Sequence, residues 1–142
     1  MKALIVYGSK HGSTREIAEK MSQVLEVQGI QTTVADAQRP VGVLERYDVI
    51  IVGSAIRIRS WLRPPLRFIL SNRSALLTKQ VWLFSSGLLV DDPRSLHPRS
   101  LRKIERTIEP REHRFFIGSL QPGNLSPIHK MVLRLPVVKR IF

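Results

Sequence analysis

Residues 2–28 read KALIVYGSKHGSTREIAEKMSQVLEVQ, and this segment indicates the architecture of the whole chain. Residues 2–8 form a nearly continuous apolar run closed by glycine, which predicts a strand buried on both faces of a parallel sheet. Over residues 14–28 apolar side chains recur at i, i+4, i+7 and i+8, which predicts an amphipathic helix. Those residues are Ile17, Met21, Val24 and Leu25, and Gly29 is expected to end the helix. A buried strand, a short turn and a helix form the first unit of an α/β fold.

The remainder of the chain repeats the alternation of strand and helix. Four further strands are predicted at residues 31–35, 48–54, 80–85 and 114–120. Helices are predicted after Pro64 and Pro65, whose rings suit a first helical turn, and over residues 95–109. We therefore expect residues 1–142 to form a single α/β domain, a doubly wound five-stranded parallel sheet of order 2-1-3-4-5.

In that strand order a ligand binds outside the carboxyl ends of the strands, where the order reverses between the first and third strands. The loops expected to open on that edge are residues 9–14, 54–60 and 85–92. The sequence thus indicates one ligand site built from three separate loops.

The end of the chain departs from this pattern. No amphipathic helix of ordinary length follows residue 120, and only a short helix-like piece is predicted near residues 128–135. We therefore expect the terminal helix to be missing or replaced by a basic apolar tail at residues 121–142. Either this tail covers the last face of the sheet, or a partner chain does, or the helix is missing. An uncovered face would be an apolar patch and would favour a homo-oligomer.

Composition and charge narrow the function classes. The chain has 23 Lys and Arg against 11 Asp and Glu, a formal net charge of +12, and no cysteine. Without cysteine, disulfides, iron–sulfur clusters and thiol nucleophiles are excluded, so redox chemistry needs a bound cofactor. Residues 1–53 hold six basic and six acidic side chains, so the whole excess lies in residues 54–142. Nucleic acid, anionic lipid and an acidic substrate all remain open as partners. No metal is predicted, because the histidines are scattered.

The turn after the first strand carries chemistry suited to a phosphate monoester. It offers hydroxyls on Ser9, Ser13 and Thr14, close backbone approach at Gly12, and free N–H groups at a helix start. Neither a G-x-G-x-x-G fingerprint nor a Walker A loop is present. The plainer interpretation is a turn and helix cap with no ligand.

Three segments give a resemblance to a known family: GSKHGSTREIA at residues 8–18, IVGSAIR at residues 51–57, and IGSL at residues 117–120 followed by the basic tail. They resemble the flavodoxin-like domain family, closest to its menaquinone-dependent protoporphyrinogen IX dehydrogenase branch. The resemblance covers residue 1 to about residue 135 and implies a flavodoxin-like fold with FMN as cofactor. It also implies an oxidoreductase that passes electrons from a reduced acidic substrate, such as a porphyrinogen, through FMN to a quinone. Separately, the apolar stretch at residues 1–8 is too short for a secretory signal, so a cytoplasmic protein is expected.

The resemblance implies which residues bind these molecules and leaves the catalytic residues unknown. The FMN phosphate would be held by Ser9, Lys10, His11, Gly12, Ser13 and Thr14. The flavin ring would be flanked on one side by Ser54, Ala55, Ile56 and Arg57, and on the other by Ser85, Ser86, Gly87, Leu88 and Leu89. Arg57 and Arg59 would bind substrate propionates, since guanidinium groups form bidentate bonds to carboxylates. The alternative is that both arginines are solvated. Trp61 would either stack on the flavin or pack in the core.

The tail and the alternatives complete the set of hypotheses. The tail sequence HKMVLRLPVVKRIF mixes aliphatic and basic residues, which favours either peripheral contact with an anionic membrane or packing on the sheet. A hydrolase triad is not expected, because Ser85 and Ser86 have no histidine and acid at hydrolase spacing. One alternative to the enzyme is a non-catalytic electron-transfer flavodoxin. Another is a flavin-free anion or nucleic-acid-binding module, although the aromatic residues that stack on bases are not interleaved with the arginines.

Overall fold

The computed structural model describes residues 1–10, 12–39, 41–87, 98–117 and 126–135. Six strands are found in these ranges: β1 Lys2–Gly8, β2 Gln31–Asp36, β3 Val49–Arg57, β4 Ser60–Trp61, β5 Gln80–Gly87 and β6 Glu112–Ile117. The α-helices are α1 Ser13–Val27, α2 Arg63–Ser71, α3 Arg73–Leu76, α4 Arg99–Ile108 and α5 Ser126–Leu133, with a 3₁₀ turn at Leu44–Arg46. Every predicted strand and the long first helix are confirmed, with ends that move by up to three residues.

The sheet has the predicted connectivity. Its parallel path runs β2-β1-β3-β5-β6, which is the expected order 2-1-3-4-5 once β4 is set aside. β4 is a two-residue strand that pairs antiparallel with the end of β3, Ile56 opposite Trp61. The central strands β1, β3 and β5 are buried along nearly their whole length because helices cover both faces.

Two apolar cores lie on the two faces of this sheet. On one face Ile5 and Ile51 pack with α1 and α5. On the other face Leu4 and Val52 pack with α2, α3 and α4. Successive residues of each strand point to opposite faces, so neighbours such as Leu4 and Ile5 fall into different cores. This arrangement leaves the carboxyl edge of the central strands between the two helix layers.

The last face of the sheet is covered by α5, which lies in the tail. Its buried residues Ile128, Met131 and Val132 are at most 1% exposed and join the core formed with α1. Arg134, just after the helix, donates to Glu112 of β6 at 2.8 Å. The tail thus replaces the terminal helix with an eight-residue one that covers the sheet. The apolar patch on which the expected homo-oligomer rested is therefore covered by the chain itself.

The expectation of membrane contact by the basic tail concerns residues that are described only in part. Residues 136–142, the last part of the basic tail, lie outside the described residues. Among the helices that are described, none is both long enough and apolar enough to cross a membrane.

Candidate functional site

Three strand ends meet at one edge of the sheet. Gly8 of β1 lies beside Ser54 of β3, and Ser54 lies beside Ser85 of β5, so these residues form one row across the three strands. Beyond this row β1 turns away into the segment that begins α1, while β3 and β5 continue. The row therefore marks the switch point at which a doubly wound sheet binds ligands.

β3 and β5 extend further than the sequence analysis expected. Ala55 and Ser86 still pair across the two strands, so the predicted loops at residues 54–60 and 85–92 begin as strand. Residues 54–60 are a β-hairpin whose turn residues Ile58 and Arg59 have φ of 50° and 60°. The prediction of a loop there was wrong because two-residue hairpins of this kind usually carry Asn or Gly, and neither is present. The alternating Ile-Arg-Ile-Arg sequence at residues 56–59 could have indicated that β3 continues into this segment.

Gly12 and the residues after it begin α1. Gly12 has a φ of 90°, and its carbonyl accepts the first helical hydrogen bond, from the Glu16 N–H at 3.0 Å. The N–H groups of Ser13, Thr14 and Arg15 precede that bond and have no helix carbonyl to donate to. A Cβ placed on Gly12 would meet none of the described residues beyond its chain neighbours within 4 Å. These features fit a phosphate group at the positive end of the helix dipole.

Ser9 and Lys10 complete the described part of this turn. The Ser9 hydroxyl accepts a hydrogen bond from the Gly12 N–H at 2.9 Å, which closes the turn on itself. Lys10 is exposed. In the first turn of α1, Arg15 donates to Glu19 at 2.9 Å, and this bond raises the pKa of the Arg15 guanidinium. The Arg15 charge is thus shared with Glu19, so the backbone N–H groups at the start of α1 are the stronger candidates for binding an anion. His11 lies outside the described residues.

Thr14 points into the protein. It is 0% exposed, and its hydroxyl lies 2.7 Å from the hydroxyl of Ser86 on β5, which is 3% exposed. The inward direction follows from the helix period, since Thr14 lies on the same face of α1 as Ile17 and Ala18. Two residues predicted to bind the cofactor are thus brought together, but their hydroxyls hydrogen-bond to each other. This bond connects the first turn of α1 to the carboxyl end of β5.

Ser54 and Ser85 are also buried, with hydroxyls that have partners inside the protein. The Ser54 hydroxyl accepts from the Leu62 N–H at 2.9 Å and donates to the Ala55 carbonyl at 2.8 Å. The Ser85 hydroxyl accepts from the Trp61 indole N–H at 2.7 Å. Both serines are 0% exposed. Among the described residues at the ends of β3 and β5, the polar groups left available are therefore backbone groups and the exposed side chain of Arg57.

Trp61 is a packing residue. It is 3% exposed and belongs to the core beneath α2 and α4, so the stacking alternative is not the arrangement found. Its indole N–H explains the burial, because Ser85 satisfies the one polar atom of the ring. Trp61 thereby fastens β4 to β5.

His113 is a neighbour that the sequence analysis missed. Its Nε2 lies 2.6 Å from the Ser85 hydroxyl, so the histidine of the histidine and acid pair that the sequence analysis did not find is present. The predicted start of the last strand at residue 114 excluded His113, and the structure begins β6 at Glu112. The full burial of Ser85 still opposes a nucleophilic role, since substrate cannot reach the hydroxyl. Within the described ranges no three His, Asp or Glu residues are grouped so that they could hold a metal.

The arginines predicted to bind substrate flank the hairpin turn. Arg57 is exposed, whereas Arg59 is partly buried and its carbonyl accepts from the Arg99 N–H at 3.0 Å. The hairpin is thus held against the start of α4. Gly87 ends β5 on the same edge of the sheet, and Leu88 and Leu89 lie outside the described residues.

Comparison with known proteins agrees with this geometry. Protoporphyrinogen IX dehydrogenase (quinone) of Escherichia coli strain K12 is 29% identical over 101 residues, which are 70% of this chain and 56% of that enzyme. The match thus spans little more than half the length of that relative. A flavodoxin from the domain Archaea superposes with a TM-score of 0.75 at 18% identity, covering 99% of each chain. A short-chain flavodoxin associated with a non-canonical PDU bacterial microcompartment gives 0.76 at 14% identity, covering 100% of this chain and 99% of that one.

These superpositions show the fold, and the family follows from the sequence match. Residues 4–140 match the family described as the flavodoxin domain. Because this match includes nearly all of the chain, the protein belongs to the flavodoxin domain family.

Proposed function

We propose that the protein is an FMN-dependent oxidoreductase similar to protoporphyrinogen IX dehydrogenase. It would pass electrons from a reduced acidic substrate through FMN to a quinone. The observation that carries the proposal is the start of α1 at the switch point, where Gly12 has a positive φ and no described side chain caps the first N–H groups of the helix. The relative from Escherichia coli supports the type of reaction. When bound, FMN supplies a ring that accepts and returns two electrons.

The proposed cofactor contacts rely on the backbone more than the sequence suggested. The phosphate would be held by the N–H groups of Ser13, Thr14 and Arg15, with help from Lys10 and from His11. Ser9 and Gly12 would shape the turn, since they bond to each other. Such a site holds a dianion with few charged side chains, because the N–H groups and the helix dipole supply the positive potential.

Around the ring, the proposed contacts come from the ends of β3 and β5. The backbone of Ala55, Ile56 and Gly87 would bind the polar edge of the flavin, as would the backbone of Leu88 and Leu89. The hydroxyls of Ser54, Ser85 and Ser86 would instead hold these strand ends in place through their internal hydrogen bonds. Their role in this proposal is positional.

Arg57 is the better candidate for the carboxylates of the substrate. It is exposed at the end of β3, next to the proposed ring site. Arg59 would contribute less, because it is partly buried and its backbone is bonded to α4. A guanidinium pairs with a propionate in a bidentate manner, which gives both affinity and orientation.

A titration with FMN and riboflavin tests the first step. Riboflavin lacks the phosphate, so we expect FMN to bind at least tenfold more tightly, as measured by quenching of flavin fluorescence. Ser13→Asp places a carboxylate in the first turn, where it suits the helix dipole but repels the phosphate. We expect this variant to lose about tenfold in FMN affinity and little in riboflavin affinity. Gln23→Asp adds the same charge on the exposed side of α1 and is the matched control.

Two results would reject the proposal at this step. One is the absence of flavin binding by the refolded protein, and the other is equal loss of FMN affinity in Ser13→Asp and Gln23→Asp. Flavin-free protein that binds nucleic acid with a steep salt dependence would favour the anion-binding module instead.

Turnover separates the enzyme from an electron-transfer flavodoxin, which the structural neighbours keep as the second candidate. The FMN-loaded protein would be mixed anaerobically with protoporphyrinogen IX and a menaquinone analogue, and porphyrin fluorescence followed. Arg57→Gln is expected to raise the KM for this substrate while leaving FMN affinity unchanged. Flavin binding without any porphyrin formation would indicate the electron-transfer flavodoxin.

A further inference from the structure

One side of the molecule carries most of the net positive charge of the described residues. Residues 54–87 contain no Asp or Glu at all, and they supply the hairpin, α2 and α3. α4 adds further basic residues, and it packs on the same core as α2. In contrast, α1 on the opposite side of the sheet carries two basic and three acidic residues. We call the solvent side of the hairpin, α2 and α4 the basic face.

The basic side chains of this face fall on regular helical stripes. On α4 the exposed residues recur at i, i+3, i+4 and i+7, opposite the buried Leu101 and Ile104. They are Arg99, Arg102, Lys103 and Arg106. On α2 the exposed Arg63, Arg67 and Leu70 recur at i, i+4 and i+7. Because the inward sides of both helices are fixed by the core, both stripes must face solvent.

The ion pairs of Arg15 with Glu19 and of Glu112 with Arg114 and Arg134 lie on α1 and around β6. Glu105 of α4 is the one acidic residue in the sequence of the hairpin, α2 and α4, so these elements keep a net positive charge. The hairpin lies against the start of α4, where the Trp61 N–H donates to the Ser100 hydroxyl at 3.2 Å. The hairpin and the two helices therefore form one continuous surface.

An apolar side chain projects from this surface. Ile58 is 88% exposed at the tip of the hairpin, between Arg57 and Arg59. Its φ of 50° is a conformation that β-branched residues rarely adopt, and nothing on the protein packs on the side chain in return. Strain at an exposed position of this kind is found where a surface has a role outside the fold. Leu70 and Leu77 are also 43% and 55% exposed on the same side.

A groove runs along the other edge of α2. Its volume is about 540 Å³, and its lining includes Arg39 and Arg67 together with Phe68 and Ser71. Two guanidinium groups beside an apolar ring suit a ligand that has a phosphate and an adjoining hydrocarbon part. A phospholipid has both, a phosphate in its head group and hydrocarbon in the adjoining acyl chains.

We propose that the basic face, with Ile58 at its tip, binds the surface of an anionic lipid bilayer. Clustered Arg and Lys attract anionic lipids, and exposed aliphatic side chains enter the boundary between head groups and acyl chains. Nucleic acid is the other large anionic partner to consider. Its single strands are usually bound by aromatic side chains, whereas the exposed large apolar residues of this face are aliphatic. The inference does not depend on flavin binding.

The full chain can be tested by sedimentation with vesicles. We expect it to bind vesicles of phosphatidylcholine containing about one third phosphatidylglycerol and to bind pure phosphatidylcholine poorly. Binding should weaken as salt is raised above about 0.15 M, where surface charges are screened. The double variant Arg67→Glu/Arg102→Glu removes one arginine from each helix stripe. Since each removed charge costs about fivefold, we expect a loss of roughly 25-fold or more.

Matched controls separate this face from the rest of the surface. Lys20→Glu/Lys130→Glu makes the same change in charge on α1 and α5, and it should lose much less binding. Ile58→Asn keeps a residue that tolerates positive φ but removes the apolar side chain. It should lower binding several-fold with no loss of thermal stability.

Several outcomes would overturn the inference. Equal losses in the two double variants would show that net charge alone matters. Retained binding in Arg67→Glu/Arg102→Glu, together with its loss in Lys139→Glu/Arg140→Glu, would assign the contact to the tail. Tighter binding to a nucleic-acid oligomer than to the anionic vesicles, lost in the same face variant, would make nucleic acid the ligand.

Discussion

Gly53→Ala is the substitution for which the structure gives the most definite cost. Gly53 lies in β3 between Tyr7 and Phe84 of the neighbouring strands. A Cβ on this residue would lie 2.0, 2.1 and 2.3 Å from three atoms of the Phe84 ring. Ordinary contact begins near 3.4 Å, so the ring or the strand must move by more than 1 Å. The ring has little room, because it is fully buried and its centroid lies 6.0 Å from that of Phe116 in an edge-on contact.

The expected cost follows from this lack of room. Overpacking a core by one methyl group typically costs about 1–3 kcal/mol, and we expect Gly53→Ala to lie at or above the upper end. Small domains are stable by only about 5–15 kcal/mol, so the change should be obvious in urea unfolding followed by circular dichroism. Gly42→Ala is the matched control, since a Cβ there would meet nothing within 4 Å, and its effect should stay within about 0.5 kcal/mol.

A double variant tests whether the clash with the Phe84 ring is what makes Gly53→Ala costly. Phe84→Ala alone should cost about 3–5 kcal/mol by leaving a cavity. If the clash is the cause, Gly53→Ala/Phe84→Ala should cost at least about 1 kcal/mol less than the sum of the single effects, because the ring is gone. Costs that add, or a Gly53→Ala cost below about 1 kcal/mol, would refute the reasoning.

Three further changes follow from other contacts. Trp61→Phe keeps most of the packing but removes the N–H that bonds to buried Ser85. Because Ser85 keeps His113 as a partner, the change should cost about 0.5–1.5 kcal/mol in urea unfolding, and a gain in stability would contradict the bond. Ile128→Ala should lower the free energy of unfolding by about 2–5 kcal/mol, because the side chain is fully buried beside α1. A loss below about 0.5 kcal/mol, as is usual for an exposed residue, would contradict the placement of α5. Ile58→Asn should raise the melting temperature, since it relieves about 1 kcal/mol of strain at positive φ, and a lower melting temperature would count against that strain.

The repeating parts of the fold were predictable because their signals are local. A strand covered on both faces must be apolar at nearly every position, as in β1 and β3, and a helix covered on one face must repeat its apolar residues every three to four positions, as in α1. The location of the candidate site followed from the strand order. The turn between β1 and α1 was predictable from Gly12 and the residues around it, since the conformation of a turn depends on its own few residues.

Other features have no local signal. The hairpin at Ile58 and Arg59 lacks turn residues, and it exists because β4 gains hydrogen bonds to β3 and burial of Trp61. The short α5 is held in place by its contact with α1, which is distant in sequence. Its eight residues are too few to form a stable helix without that contact.

The sequence alone thus provided the strand order, the amphipathic first helix and the excess charge beyond residue 53, and it predicted the residues of the candidate site. Which atoms of those residues are available was settled by contacts between distant segments. Thr14 and Ser86 are 72 residues apart and hydrogen-bond to each other, and the hydroxyl of Ser85 is shared between Trp61 and His113. Residue type tells which hydrogen bonds a side chain is able to form, but only the packed sheet and helices determine which partner comes within 3 Å.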